Sequence, residues 1–275
     1  MRRTFADVLE NNKVDIKKEY SRLYEMFYEC INSKFSLYTI IDSFFEEIWF
    51  RRTCNSLKDF DDSYGFLFEK QPENFNIEYL INFCEYLYNI IYGFDPNGEI
   101  AFQGREKIHR LRIQLNKVID LIEHTCIQND KGLTILVPKS PQANLVSQCV
   151  SENLSYKILE YNHYSLIGNL DAKKSILLKI ALELEPHRSL LKNIDTTLEK
   201  NLFVAFNNYN IRHNNCDSLD KNNFVPQFSN MKEKEQEEMY DWTYNQSLIA
   251  FLKLENNDLN TKFKDVKEKI DKKII

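Results

Sequence analysis

The sequence predicts a mainly α protein, a helical bundle with a small α/β insertion at about residues 133–160. Three observations point there. Only six Gly and six Pro occur in 275 residues, far below the usual ~7% and ~5%, so turns are few and elements long. Apolar residues recur at spacings of three and four over most of the chain, the period of a helix with one buried face. One short stretch breaks that period: Thr134-Ile135-Leu136-Val137 is a β-branched apolar run ended by Pro138. Fifteen Tyr and nineteen Phe make the expected core rich in rings. The organisation reads as an N-terminal helical region, 1–132, followed by a helical domain, 133–275, that carries the insertion.

In order, Ile16, Tyr20, Leu23, Phe27 and Ile31 place one helix within 5–31. Leu37, Ile40, Ile41, Phe44, Phe45 and Ile48 place a second over 35–56, with a stripe wide enough to pack on two sides. The acids, Gly65 and Pro72 of 57–76 read as a loop with a short element at Phe66–Phe68. A third helix is expected over 77–93, stopping at Gly93 before the turn Asp95-Pro96-Asn97-Gly98. Ile108, Leu111, Leu115, Val118, Ile119 and Ile122 place a fourth over 104–128, closed by Asn129-Asp130-Lys131-Gly132. The insertion then reads strand–helix–strand: 134–137, a helix over Gln142–Glu152, and a second strand at 156–160. Asp171 is the expected N-cap of a helix through Ile176, Leu177, Ile180, Ala181 and Leu184. Pro186 splits it from a helix over 189–206. After a polar loop, a charged helix starts near Met231. Finally, 258–275 sets Leu259, Phe263, Val266 and Ile270 on one face, opposite Lys, Asp and Glu.

The same residues exclude several classes. A net charge of −5 argues against a nucleic-acid surface spread over the whole molecule, and leaves room for a local basic site. Cys30, Cys54, Cys84, Cys126, Cys149 and Cys216 show neither CxxC spacing nor a nearby His at zinc-ligand spacing, so they read as reduced core residues. No metal or other cofactor is expected. The opening MRRTFADVLENNK has no apolar segment of a signal peptide, and Asp42, Glu46 and Glu47 interrupt the longest apolar run. A cytoplasmic protein with no membrane span is the expectation. Nucleotide-binding glycine motifs, zincin motifs and serine-hydrolase motifs are absent from the sequence.

The densest polar chemistry lies in 201–217, NLFVAFNNYNIRHNNCD. Asn208, Asn210, Asn214 and Asn215 surround the pair Arg212-His213 behind an apolar helical run. Arg is a fixed planar anion-binding fork and His titrates near neutrality, so together they suit phosphate chemistry, with Arg212 gripping and His213 moving the proton. They also suit a helix end tied off by Asn and Arg, since Asn favours caps and turns. A second constellation is Glu160-Tyr161-Asn162-His163 with Lys173, Lys174 and Glu185, in which His163 and Lys173 are candidate substrate contacts. A third is the basic face Arg105, His109 and Arg112 at i, i+4 and i+7.

The run FNNYNIRHNN, set after a helix and before a long polar loop and a charged helix, resembles the terminal segment of bacterial proteins of the HEPN superfamily. The likeness extends from about Thr134 to Phe251, through VPKS, EYNHYSLIGNL, LELEP and YDWTYNQSL. It implies a helical bundle, often a homodimer, of the kind found among toxins, abortive-infection proteins and other phage-defence systems. It also implies RNA as substrate, an antitoxin or other partner protein, and, where active, metal-independent RNA cleavage by Arg and His. In the superfamily pattern the His stands several residues beyond the Arg; here His213 follows Arg212 directly, and no His lies downstream. The functions expected are therefore RNA binding or metal-independent endoribonuclease activity. The alternative is a non-catalytic helical interaction protein on the same fold.

Overall fold

Short polar caps start most of the helices. In the computed structural model, which describes residues 15–30, 35–95, 105–129 and 131–272, Asp15, Ser36, Ser56, Asn76, Ser140, Asn169 and Asp195 each accept a backbone N–H three residues on. Such a bond satisfies one of the donors that a helix leaves unpaired at its start. The protein is mainly helical with one two-stranded antiparallel sheet, and it divides between Pro138 and Lys139 into two compact units.

The first unit holds α1 (Ile16–Tyr28), α2 (Leu37–Asp42), a 3-10 turn (Phe45–Glu47), α3 (Leu57–Tyr64), α4 (Ile77–Phe94), α5 (Arg105–Leu121), β1 (His124–Gln128) and β2 (Thr134–Pro138). Its core is aromatic: Tyr20 and Phe27 of α1 are fully buried, with Tyr20 tilted against Phe83 of α4 at 5.0 Å and Phe27 edge-on to Tyr86 at 6.1 Å. Ring pairs of this kind add about 0.5–1.5 kcal/mol each beyond area burial.

Here several expectations are corrected. The helix expected over 35–56 ends at Asp42, whose carboxylate accepts the Leu57 N–H at 2.7 Å and so starts α3, where the acid-rich sequence reads as loop. Gly93 does not stop α4, which runs to Phe94; a Cβ there would meet Phe50 Cε1 at 2.5 Å, so the residue is a close-packing glycine. Of the expected turn after it, Pro96, Asn97 and Gly98 lie outside the described residues.

The helix expected to reach 128 stops at Leu121, because Glu123 turns to φ +56 and the chain extends into β1. There it pairs with β2, Cys126 opposite Leu136. Asn129 makes the connection: its Oδ1 accepts the Lys131 and Leu133 N–H groups, both at 2.9 Å. The strand at 134–137 is present, then, but its partner precedes it.

The second unit holds α6 (Pro141–Cys149), α7 (Glu152–Glu160), a 3-10 turn (Tyr164–Leu166), α8 (Leu170–Leu184), a 3-10 turn (Glu185–His187), α9 (Arg188–Ile194), α10 (Thr196–Asn208), α11 (Pro226–Ser229) and α12 (Glu233–Asp271). Residues 156–160 belong to α7 and are not a strand; Leu154 and Ile158, one turn apart, are its buried pair. Asn169, not Asp171, caps α8. Pro186 splits the chain as expected, and Asp195 splits it again by capping α10. Leu177, Ile180, Ala181 and Leu184 of α8 share a core with Leu202, Phe203 and Phe206 of α10 and with Tyr244 and Leu248 of α12. Full burial of each such large apolar side chain contributes roughly 1.5–3 kcal/mol.

Candidate functional site

The asparagine-rich stretch is a built turn. At the end of α10 the Tyr209 N–H donates to Ala205 (2.9 Å), Asn210 takes the left-handed φ of +56, and the Arg212 N–H returns to the Phe206 carbonyl (3.0 Å). Asn tolerates that conformation better than most residues. Asn210 and Asn215 then exchange bonds: the Asn210 N–H donates to Asn215 Oδ1 (2.8 Å) and the Asn215 N–H to Asn210 Oδ1 (3.1 Å). The fully buried Asn215 also donates from Nδ2 to the Asn223 carbonyl at 2.6 Å. These two amides are committed to closing the loop. Asn208 ends α10 half-buried, and Asn214 is exposed.

Arg212 and His213 part company. The Arg212 side chain, 15% exposed, donates from Nη2 to the Ala181 carbonyl at 2.9 Å and ion-pairs with Glu185. Its guanidinium lies 5.2 and 5.4 Å from the ring centroids of Phe203 and Phe206. The carbonyl and the carboxylate both engage Nη2 and two ring faces flank the guanidinium, while the buried Nε makes no hydrogen bond among the described residues. His213 stands exposed beside it. A cleavage centre needs the acid–base group and the phosphate-binding cation to face one space; here one side chain points into the bundle and the other out of it.

His163 and Lys173, by contrast, are brought together. They line a cavity of about 270 Å³ with Tyr161, Asn162, Asp241 and Tyr244. His163 is buried, with Nδ1 2.7 Å from Ser165 Oγ. Lys173 is 5% exposed and pairs with both Glu237 and Asp241 at 2.7 Å. Its ammonium lies 5.2 Å from the centroid of Tyr161, whose hydroxyl donates to Asp241 at 3.0 Å and whose ring stacks on Tyr244 at 4.0 Å. Burial works against ionised Glu237, yet the Lys173 ammonium and the Gly168 N–H hold its carboxyl below the ordinary value. Burial and Asp241 together push the Tyr161 phenol well up. The cluster is closed in charge, with two carboxylates around one ammonium, and offers an incoming phosphate repulsion rather than a grip.

The sequence reading missed Glu237, Asp241 and Tyr244 as members of this cluster. The signal was present in α12: the three stand four and three residues apart, on one helix face.

Arg112 is also withdrawn from the basic face foreseen on α5. It donates to the Asp95 carbonyl and lies 4.6 Å from the Tyr92 centroid, leaving Arg105 and His109 exposed. Among the described residues, no group of three or more His, Cys, Asp or Glu side chains is placed to hold a metal ion, and no helix is long and apolar enough to cross a membrane. No protein-family model, curated protein or solved structure matches the chain.

Proposed function

We propose that this chain is a non-catalytic helical interaction protein on a HEPN-like fold, with Arg212 serving the fold in place of phosphate binding. The observation that carries the reading is the engagement of Arg212: Nη2 is taken by a carbonyl and a carboxylate, Nε is buried, and two rings flank the guanidinium, so it presents no open two-donor edge to a phosphate. The engagement of Lys173 with two carboxylates supports the same reading, because it neutralises the second cation an RNA backbone would need.

The test is direct. The purified full chain is incubated with a mixed single-stranded RNA ladder in the presence of a chelator, alongside its His213→Ala variant. The reading expects no cleavage by either. Cleavage by the parent that His213→Ala abolishes at unchanged melting temperature would overturn it.

A further inference from the structure

The last third of α12 keeps an apolar stripe that nothing among the described residues covers. Up to Leu254 the helix contributes buried Tyr240, Tyr244, Leu248 and Phe251 to the core of its unit. From Asp258 to Asp271 every residue is exposed. Within that stretch Leu259, Phe263, Val266 and Ile270 are 53, 68, 53 and 54% exposed. Their spacing of four, three and four is a heptad pattern, with Phe263 and Ile270 at a and Leu259 and Val266 at d. At ~100° per residue the four fall within an arc of about 60°. So narrow a stripe is a helix–helix seam and not the broad face of a helix lying on a core or a lipid surface.

The charges are sorted around it. Lys262 and Lys269 occupy g positions and Lys267 an e position, flanking the seam, while Asp258, Asp265, Glu268 and Asp271 fall at b, c and f, turned away. In a parallel pair of two copies, Lys262 of one would face Lys267 of the other, and an antiparallel pair centred on the seam would set Lys262 against Lys269. Like charges across such a seam disfavour self-pairing, whereas carboxylates there complement the lysines.

We propose that residues 258–271 of α12 dock an amphipathic helix of a partner protein, one whose apolar seam is flanked by Asp and Glu. This rests on the interaction-protein reading above and names the face and the partner's chemistry.

The test uses the full chain and two labelled synthetic helices of roughly three heptads with identical Ile and Leu seams, one carrying Glu at every e and g position and the other Lys. Fluorescence anisotropy is expected to give at least about tenfold tighter binding of the Glu peptide. Phe263→Glu is expected to abolish binding, and the triple variant Lys262→Glu, Lys267→Glu, Lys269→Glu to reverse the preference. All four positions are exposed, and circular dichroism checks that the variants stay helical.

Binding of neither peptide, or of both equally, would overturn the proposal. So would a dimer in sedimentation that Phe263→Glu dissolves, which would give the face to a second copy. Co-sedimentation with phosphatidylserine vesicles lost in Phe263→Glu would give it to a lipid surface. The nuclease assay is independent of all these outcomes: RNA cleavage sinks the interaction-protein reading whatever the peptides do, and peptide failure without cleavage sinks only the docking face.

Discussion

Asp61 in the first unit and Lys173 in the second are equally deeply buried, and the two are treated in opposite ways. In the first unit Asp61, 5% exposed, accepts the hydroxyls of Tyr38 (3.0 Å) and Tyr86 (3.1 Å) on Oδ2, while Oδ1 makes no hydrogen bond among the described residues. No cation pairs with it among the described residues. Burial pushes its carboxyl up to about 7, against the pull of the two tyrosines. In the second unit Lys173, equally buried, has two carboxylates and a ring face. A buried charge persists where partners replace water and gives way by taking up a proton where they do not. Around Asp61 the aromatic first unit supplies neutral donors, whereas around Lys173 the second supplies counter-charges from a single helix.

The largest effect expected from this difference is on pH. Asp61 titrates near 7 when folded and near the ordinary ~4 when unfolded, so between those values the folded chain keeps a proton the unfolded chain has lost. Its contribution is fully present below about pH 4, falls as pH rises toward 7 and levels off above, by on the order of 4 kcal/mol. Asp61→Asn keeps a neutral acceptor for both tyrosines and should flatten that slope. Denaturation of the first unit, followed through Trp49 in a Trp242→Phe background, checks this; an unchanged slope in Asp61→Asn would refute the assignment.

Next comes Lys173→Met, which strands Glu237 and Asp241 beside each other. Breaking a buried pair costs ~3–5 kcal/mol, and the half-exposed Asp241 lowers the expectation to about 2. Trp242 in a Trp49→Phe background reports it, and no loss would show that the pair is idle. The smallest effect is His213→Ala, expected within about 0.5 kcal/mol of the parent because the ring is exposed. A larger loss would mean that His213 too is tied into the fold.

Much of the architecture was legible because it depends on local rules: the helical period, the Pro186 break and the apolar run 134–137. What was not legible depended on competition at a distance. Nothing local tells that Glu123 turns the chain, so β1 read as the tail of a helix. The segment 156–160 looked extended until Leu154 and Ile158 found one buried face. At the site, FNNYNIRHNN pointed to a polar turn after a helix, but both readings of Arg212 stayed open. Weighing them takes the positions of Ala181 in α8 and Glu185 in the turn after it, some thirty residues upstream. Lys173 likewise read as a phosphate contact because Glu237 and Asp241 lie more than sixty residues away in sequence.

The central claim, that Arg212 holds the bundle together, is tested most directly by urea unfolding of Arg212→Ala, read through Trp242 in the Trp49→Phe background. Losing the bond to Ala181, the pair with Glu185 and the contacts with Phe203 and Phe206 should cost about 1–3 kcal/mol. Arg212→Lys should recover only part of this, since an ammonium lacks the planar fork. An Arg212→Ala variant as stable as the parent would contradict the account.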